Sequence, residues 1–240
     1  MAEMVISRTF LRIGLIVALG AATVLPTYVQ RADGASAAAS AAASCTLSSH
    51  CYAIADWFNT PSTHGSGGTL TSHCLYNGGA PNYFTTQEIW QDTDNASNFQ
   101  YWVEGGAIYG YDVATRHWFW ADNRPNGGGF NIHFPALSFS LNTSYGIGFT
   151  YIGNNEWDVT VGSQHVGYST ANPPSGLALE AGTEMTTTDV RSVGKISNLS
   201  WTNTSGVVTN GWSGAGVHGG GPATASMNSS KTEVDWSTPC

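Results

Sequence analysis

The chain has 240 residues, a formal net charge of −8 and only 10% charged residues. After residue 44, five basic residues stand against fourteen acidic ones. This balance argues against nucleic-acid binding, because contacts to phosphate need lysine and arginine. The rest of the surface is rich in Gly, Ser, Thr and Asn, so it gains little net charge on acidification and suits low pH.

The first 44 residues have the pattern of a secretory leader. Arg8 and Arg12 precede an apolar run at 13–25, and the small-residue stretch 35–44 contains A-x-A sites. The apolar run is too short for a membrane span. We therefore expect a secreted protein with no membrane anchor, whose remaining residues form one domain with a substantial core.

Four cysteines follow the leader, at Cys45, Cys51, Cys74 and Cys240. An even number in an oxidising compartment predicts two disulfides, with three pairings open. We expect Cys240 to bridge back to one of the other three. The sequence has no C-x-x-C pair and its seven histidines are scattered, so we expect no metal site and no cofactor.

Beyond the leader, β-rich runs are separated by Gly, Pro and Asn, and no helical periodicity appears. Several runs alternate apolar and polar residues with a period of two, which is typical of antiparallel strands with one buried face. Asn154 and Asn155 after Gly153 predict a hairpin turn, because Gly and Asn tolerate positive φ. The runs are 68–75, 87–91, 99–103, 107–113, 117–121, 129–134, 137–141, 144–152, 156–161, 164–169, 177–187, 194–202 and 206–212.

This number and spacing of runs predict an all-β, two-sheet antiparallel β-sandwich of jelly-roll or concanavalin-like type. We place the sandwich at 45–212. The Gly/Ser/Thr-rich segment 213–240 is predicted to be a tail that wraps over the surface until Cys240 fixes it. We expect a monomer.

Acidic residues concentrate in two segments. The first, 88–110, carries Trp90, Asp94 and Glu104 among aromatic residues and almost no positive charge. A carboxyl group held among aromatic rings is desolvated, which favours its neutral form and is one way to make an acid or base. Glu104 also fits a plainer role, as an outward-facing strand residue.

The second acidic segment is 179–185, which carries Glu180 and Glu184. Residues four apart in a strand share a face, so both side chains point the same way. Two carboxyl groups on one face need partners or a shared proton. One group can then be ionised to activate water while another donates a proton.

Both segments resemble motifs of the fungal glutamic peptidases, the eqolisins. Residues 90–109, with W-Q-D-T-D and then W-V-E-G-G, are similar to the W-V-G-I-D … I-L-Q-T-G segment of that family. Residues 179–186 resemble the A-E-W-I-V-E-D-F strand, with both glutamates at the same separation. Residues 117–122 and 194–202 are similar to the W-Y-E-W-Y-P and F-G-T-V-x-F strands that accompany them.

The resemblance implies a sandwich of two large antiparallel sheets with a carboxyl-based catalytic pair on one sheet. It places the family's catalytic glutamine on Glu104 and its catalytic glutamate on Glu184. The tryptophan and aspartate beside that pair fall on Trp90 and Asp94. As further supporting or substrate-binding residues we take Trp102, Trp118, Trp120 and Glu180.

The chain departs from the eqolisin pattern at three places. A glutamate, Glu104, stands where the family has glutamine, and Phe119 stands where the aromatic strand has glutamate. Gly182 and Thr183 replace the I-V pair and make that strand less apolar. A Glu/Glu pair is also used by the related plant neprosin peptidases, and two such groups can share a proton at acid pH.

The function expected from the resemblance is therefore that of a secreted acid endopeptidase acting on polypeptides. Three alternatives remain: an inactive relative, a glycoside hydrolase using two carboxyl groups, and a lectin-like sandwich that binds polysaccharide. The lectin alternative needs exposed aromatic rings, whereas core packing is the plainer role for every tryptophan. Its candidate platform is Tyr101, Tyr109, Tyr111, Trp118 and Trp120.

Overall fold

A computed structural model of the chain describes residues 45–46, 50–78, 82–93, 101–111, 113–125, 128–170, 172–173 and 178–240. The expected leader and Asp94 of the candidate site lie outside these ranges. Every regular element within them is a β-strand, and none of them contains a helix long and apolar enough to cross a membrane.

Fifteen strands occupy the described ranges. They are β1 (Cys51–Phe58), β2 (Thr63–Tyr76), β3 (Phe84–Asp92), β4 (Trp102–Gly110), β5 (Val113–Arg124), β6 (Gly129–His133), β7 (Ser144–Gly153), β8 (Glu156–Val161), β9 (Gln164–Ser169), β10 (Ala178–Met185), β11 (Arg191–Asn203), β12 (Val208–Asn210), β13 (Gly216–Gly219), β14 (Thr224–Met227) and β15 (Val234–Ser237).

The strands form two antiparallel sheets. The seven-stranded sheet has the order β13-β1-β10-β3-β4-β5-β6, and the eight-stranded sheet has the order β14-β15-β11-β2-β7-β8-β9. The short β12 pairs with β11. This architecture confirms the predicted all-β, two-sheet antiparallel sandwich.

The core lies between the two sheets and is filled by alternate residues of the strands. Ile89, Val103 and Leu179 of the seven-stranded sheet and Leu70 and Ile196 of the eight-stranded sheet are fully buried in one cluster. Each such side chain contributes roughly 1.5–3 kcal/mol when it leaves water. Period-two alternation sends the intervening residues of the seven-stranded sheet to its other side, which we call the outer face.

The segment after residue 212 differs from the predicted surface tail. It supplies β13 to the seven-stranded sheet and β14 and β15 to the eight-stranded sheet. Trp236 in β15 is buried, as is Trp212 just before the segment. The sequence of this segment is largely polar because each of its three strands has only four residues and few apolar side chains. The segment is nevertheless part of the sandwich.

Two other strand predictions also differ from the structure. Strand β1 lies where no strand was predicted. Seven of its eight residues are apolar or aromatic, and all eight are buried or half-buried. The run 137–141 is not a strand. Leu137 and Phe139 pack on the core from an irregular segment, and the carbonyl of Ser138 accepts a hydrogen bond from the indole of Trp118 at 3.0 Å.

Two disulfides join the four cysteines, Cys45 to Cys51 and Cys74 to Cys240. The second agrees with the expected bridge from Cys240. It ties the residues after β15 to β2, at the centre of the eight-stranded sheet.

Candidate active site

The outer face of the seven-stranded sheet brings together glutamates from three adjacent strands. Trp90 on β3 lies directly opposite Glu180 on β10 and Glu104 on β4. Because alternate residues share a face, Glu88 and Glu184 lie on the same side as these residues. All four glutamates are only 6–7% exposed. We call this patch of the sheet the acidic face.

Three of the glutamates follow a diagonal across the acidic face. Glu88 lies opposite Gly106 on β4 and Gly182 on β10. Glu104 is therefore one diagonal step from Glu88, and Glu184 is one step away on the other side. Each step spans about 7–8 Å between Cα atoms in an antiparallel sheet.

The order Glu104, Glu88, Glu184 modifies the sequence-based hypothesis. Glu104 and Glu184 belong to strands that are separated by β3, so Glu88 stands between the two residues that the resemblance pairs. Glu88 thus adds a third carboxyl group to the two that the resemblance pairs, and we call the three together the row.

Glu88 lies opposite a glycine on each of the two neighbouring strands. A Cβ atom on Gly106 would fall 2.0 Å from the carbonyl oxygen of Gln87, and one on Gly182 would fall 2.3 Å from that of Ala53. Gly182 also has a φ of +153°, which side chains rarely allow. No side chain therefore covers the Glu88 carboxyl from either adjacent position.

Burial perturbs two of the three carboxyl groups in the row. The pKa of Glu88 is raised well above its usual value, first by burial and then by the negative charge of Glu184. Burial also raises the pKa of Glu104, reinforced by the charges of Glu88 and Glu184. The Oε2 atoms of Glu88 and Glu104 are buried and have no hydrogen-bond partner among the described residues. Both groups thus favour the protonated, neutral form.

Glu184 has a different environment from the other two. Its Oε1 atom contacts Nδ1 of His50 and accepts a hydrogen bond from the hydroxyl of Tyr52 at 3.0 Å. Thr86 connects it to Glu88: the Thr86 hydroxyl donates to Glu88 Oε1 at 2.5 Å and accepts from the backbone N–H of Glu184 at 3.3 Å.

Half-buried aromatic rings flank the row. The ring of Tyr52 stacks near Trp90, with centroids 6.4 Å apart, and Trp90 meets Trp102 edge-on at 5.5 Å. The indole N–H group of Trp90 is buried and lacks a hydrogen-bond partner among the described residues, whereas the side chain of Trp102 faces Glu104 and offsets part of the rise in its pKa. These rings can contact an extended ligand lying on the acidic face.

A second histidine–carboxylate pair lies at the edge of the same sheet. Asp56 on β1 is 3% exposed and lies opposite Glu180, and its Oδ1 atom is 2.9 Å from Nε2 of His218 on β13. The pair adds a fifth acidic residue to this face of the sheet. Asp56 lies opposite Glu180 and not opposite a member of the Glu104–Glu88–Glu184 row.

The structure sorts the residues predicted for the site into two groups. Trp90, Trp102 and Glu180 lie with Glu104 and Glu184 on the acidic face.

The residues of the second group were predicted for the site but do not belong to it. Trp118 and Trp120 are 0% and 4% exposed and belong to the core between the sheets, so they neither support the site nor offer a sugar platform. Phe119, between them in β5, faces outward but is buried in a small apolar cluster with Ile108 and Ala121.

Three residues of the site were not predicted from the sequence. Glu88 could have been found, because it precedes Trp90 by two residues in a predicted strand and so shares its face. Tyr52 lies in β1, where no strand was predicted. His50 precedes β1 and reaches Glu184 across 134 residues of sequence, and no local pattern signals that contact.

Among the described residues, no group of three or more His, Cys, Asp or Glu side chains is placed to hold a metal ion. A shallow depression on the eight-stranded sheet is lined by His73, Asp235 and Trp236. Burial and the charge of Glu233 raise the pKa of Asp235. This depression lacks a second carboxyl group from an adjacent strand, so we do not place the site there.

The fold and the acidic face define the class of protein: a two-sheet antiparallel β-sandwich with clustered, buried carboxyl groups on one sheet. Neither a protein-family model nor a curated protein matches the chain in sequence. Solved structures do match its fold. Scytalido-glutamic peptidase with a transition-state analog inhibitor superimposes with a TM-score of 0.59 and 12% identity, over 79% of this chain and 98% of that one.

The same peptidase with a peptide-based transition-state analog gives a TM-score of 0.58 and 12% identity, over 83% of this chain and all of that one. A marine PL7 alginate lyase from Zobellia galactanivorans matches at a TM-score of 0.40 and 14% identity, over 65% of this chain and 64% of that one. The likeness to the glutamic peptidase is distant and concerns the fold.

Proposed function

We propose that the chain is a secreted acid endopeptidase of glutamic-peptidase type. The observation that carries this proposal is the row Glu104–Glu88–Glu184, in which two buried groups favour protonation while the third has hydrogen-bond donors. The shared fold with scytalido-glutamic peptidase supports it. Two disulfides support export to an oxidising compartment.

In this mechanism Glu184 is the general base. Its carboxylate takes a proton from a water molecule while the water oxygen attacks the carbon of the scissile carbonyl. A protonated carboxyl of the row, Glu88 or Glu104, donates its proton to the carbonyl oxygen, which gives a neutral tetrahedral diol. The C–N bond then breaks, and the amine nitrogen leaves with the proton that Glu184 took from water. One diol hydroxyl returns its proton to the donor carboxylate, which gives the carboxylic acid product and restores the starting state of the row.

The proposal predicts activity in acid. The donor must be protonated, and the raised pKa values of Glu88 and Glu104 keep it so above the usual range of a glutamate. Activity declines at low pH when Glu184 takes a proton, and at higher pH when the donor loses one. The half-buried rings of Trp90 and Trp102 would contact the extended substrate.

The aromatic rings also favour one other function. Tyr52, Trp90 and Trp102 form a row beside polar groups, which is the arrangement that a carbohydrate-binding sandwich uses. An inactive relative that binds polysaccharide is therefore the alternative.

One experiment separates the two functions. Protein lacking the leader is incubated with denatured protein substrate between pH 2 and 7, and new amino termini are counted. We expect wild type to cleave, and Glu184→Gln to lose at least about 100-fold in kcat because an amide cannot take a proton. Glu156→Gln, on the other sheet, is the matched control and should cleave like wild type.

The variants Glu88→Gln and Glu104→Gln then identify the donor. The variant that retains activity did not supply the proton, and loss in both would show that the two groups share it. Wild type that is inert across this pH range, yet binds polysaccharide in a way that Trp90→Ala and Trp102→Ala abolish, would replace the peptidase proposal with the lectin-like one.

A further inference from the structure

His50 is the residue that brings an imidazole to the carboxyl row. It lies just before β1 and belongs to no strand. Its Nδ1 atom contacts Glu184 Oε1, and its side chain is 19% exposed against 9% for Glu184. The ring also packs edge-on against Phe84, with centroids 5.4 Å apart. The contact is therefore a partly buried one between specific atoms.

A disulfide holds the segment that contains His50. Cys51 follows His50 directly and is bonded to Cys45, which closes a small loop around it. Both cysteines are buried, at 5% and 6% exposed. The turn at Gly221, with φ +72°, packs so closely on them that a Cβ there would lie 2.5 Å from the sulfur of Cys45. The two cysteines are thus packed against the sandwich.

We propose that His50 is a positioning residue that holds Glu184 as the ionised member of the row, and that the Cys45–Cys51 disulfide keeps His50 in place. The consequence for catalysis rests on the proposed function, whereas the ion pair itself does not. Glu184 faces Tyr52 on β1, Glu88 on β3, Glu104 on β4 and Glu180 on its own strand.

Those facing groups are neutral or acidic, so the imidazolium supplies the opposing charge. With His50 charged, the negative charge of the row settles on Glu184 and the protons stay on Glu88 and Glu104. As pH rises and His50 loses its proton, the four glutamates no longer have that counter-charge. At acid pH, where His50 is charged, the same counter-charge favours the ionised base, so His50 would set the acid limit of the working state.

The ion pair is tested by NMR without any need for activity. The ring resonances of His50 are followed from pH 4 to 8 in wild type and in Glu184→Gln. We expect the midpoint of the His50 titration to lie roughly one pH unit or more higher in wild type, because an adjacent carboxylate favours imidazolium. His165, which pairs with Asp158 on the other sheet at 3.2 Å, is the internal control and should titrate alike in both.

The disulfide is tested in the same way with Cys45→Ser/Cys51→Ser, which leaves Cys74–Cys240 intact. We expect its His50 midpoint to fall to that of Glu184→Gln while near-UV circular dichroism stays native. If the double variant does not fold, the comparison of wild type with Glu184→Gln decides the proposal. Equal His50 midpoints in those two proteins would overturn it.

Kinetics test the consequence for the site. His50→Gln should lower kcat roughly tenfold to a hundredfold near the acid limb of the pH profile and move that limb to higher pH, because the general base loses its counter-charge. His165→Gln should leave the profile unchanged. A loss in His50→Gln that is equal at every pH would indicate general damage and contradict the proposal. If wild type cleaves nothing, the proposed function fails, and the NMR comparison still decides the ion pair.

Discussion

Replacing Glu104 by glutamine should change how the stability of this protein depends on pH. Glu104 is 7% exposed, its Oε2 atom has no hydrogen-bond partner among the described residues, and burial raises its pKa. In the unfolded chain the same group titrates near its ordinary value of about 4.3. Above that pH the folded protein still holds a proton that the unfolded chain has released.

The sign of the effect follows from this difference in bound protons. Because the folded state binds more protons than the unfolded state, the free energy of unfolding falls as pH rises, from the unfolded pKa up to the folded pKa. Each such group contributes a slope of about 1.4 kcal/mol per pH unit. The pKa of Glu88 is also raised, so where both groups keep their protons the two together give about 2.8 kcal/mol per pH unit.

Glu104→Gln should remove about half of that slope, because it deletes one of the two groups that retain a proton in the folded protein. The three histidine–carboxylate pairs described above are present in both proteins, so their contributions cancel in the comparison.

Urea unfolding followed by tryptophan fluorescence at half-unit steps from pH 4 to 7 measures the slope, provided that the m-value stays constant. Glu156→Gln is the control and should reproduce the slope of wild type. Parallel stability curves for wild type and Glu104→Gln would refute a retained proton on Glu104.

Three further predictions follow from the packing and the cross-links. Gly106→Ala should destabilise the fold by about 1–3 kcal/mol in chemical denaturation, since its Cβ would meet a backbone oxygen, and a cost near zero would show that the strands can separate there. Trp118→Ala should lower the free energy of unfolding by about 3–5 kcal/mol, because the side chain is fully buried. Trp90→Ala should lower it less but should weaken ligand binding more than Trp118→Ala does. The reverse order would contradict the placement of Trp118 in the core and of Trp90 on the acidic face. Cys74→Ser/Cys240→Ser should cost about 2–5 kcal/mol, and titration of the unfolded, non-reduced wild type should find no free thiol.

Period-two alternation made most of the fold predictable. The runs 156–161 and 164–169 coincide with β8 and β9, and the predicted turn before them has Asn154 and Asn155 at φ 55° and 60°. The alternation predicted a false strand at 137–141, where the apolar side chains pack on the core from an irregular segment that pairs with no strand. It also missed the strands of 213–240, because short strands between turns leave too few apolar residues to show a period.

The site was predictable only as far as one strand could show it. Glu180 and Glu184 share a face by spacing alone, and the same argument joins Glu88 to Trp90. Which strand lies beside which cannot be read from spacing, so the sequence paired Glu104 with Glu184 and missed that β3 separates them. The contact of His50 with Glu184 spans 134 residues of sequence, and the sequence carries no local signal for it.

The strand order also constrains how the chain reaches its native state. In one sheet β1 pairs with β10 and β13, and in the other β2 pairs with β11. Neither β1 nor β2 can form these pairings until the later strands β10, β11 and β13 have been synthesised. Such non-local pairing makes folding slow, and it leaves unpaired edges of the early strands open to other chains meanwhile. A newly made chain would therefore stay unfolded until about its last third is complete, and a chaperone that covers β1 and β2 during that interval should raise the yield of soluble protein.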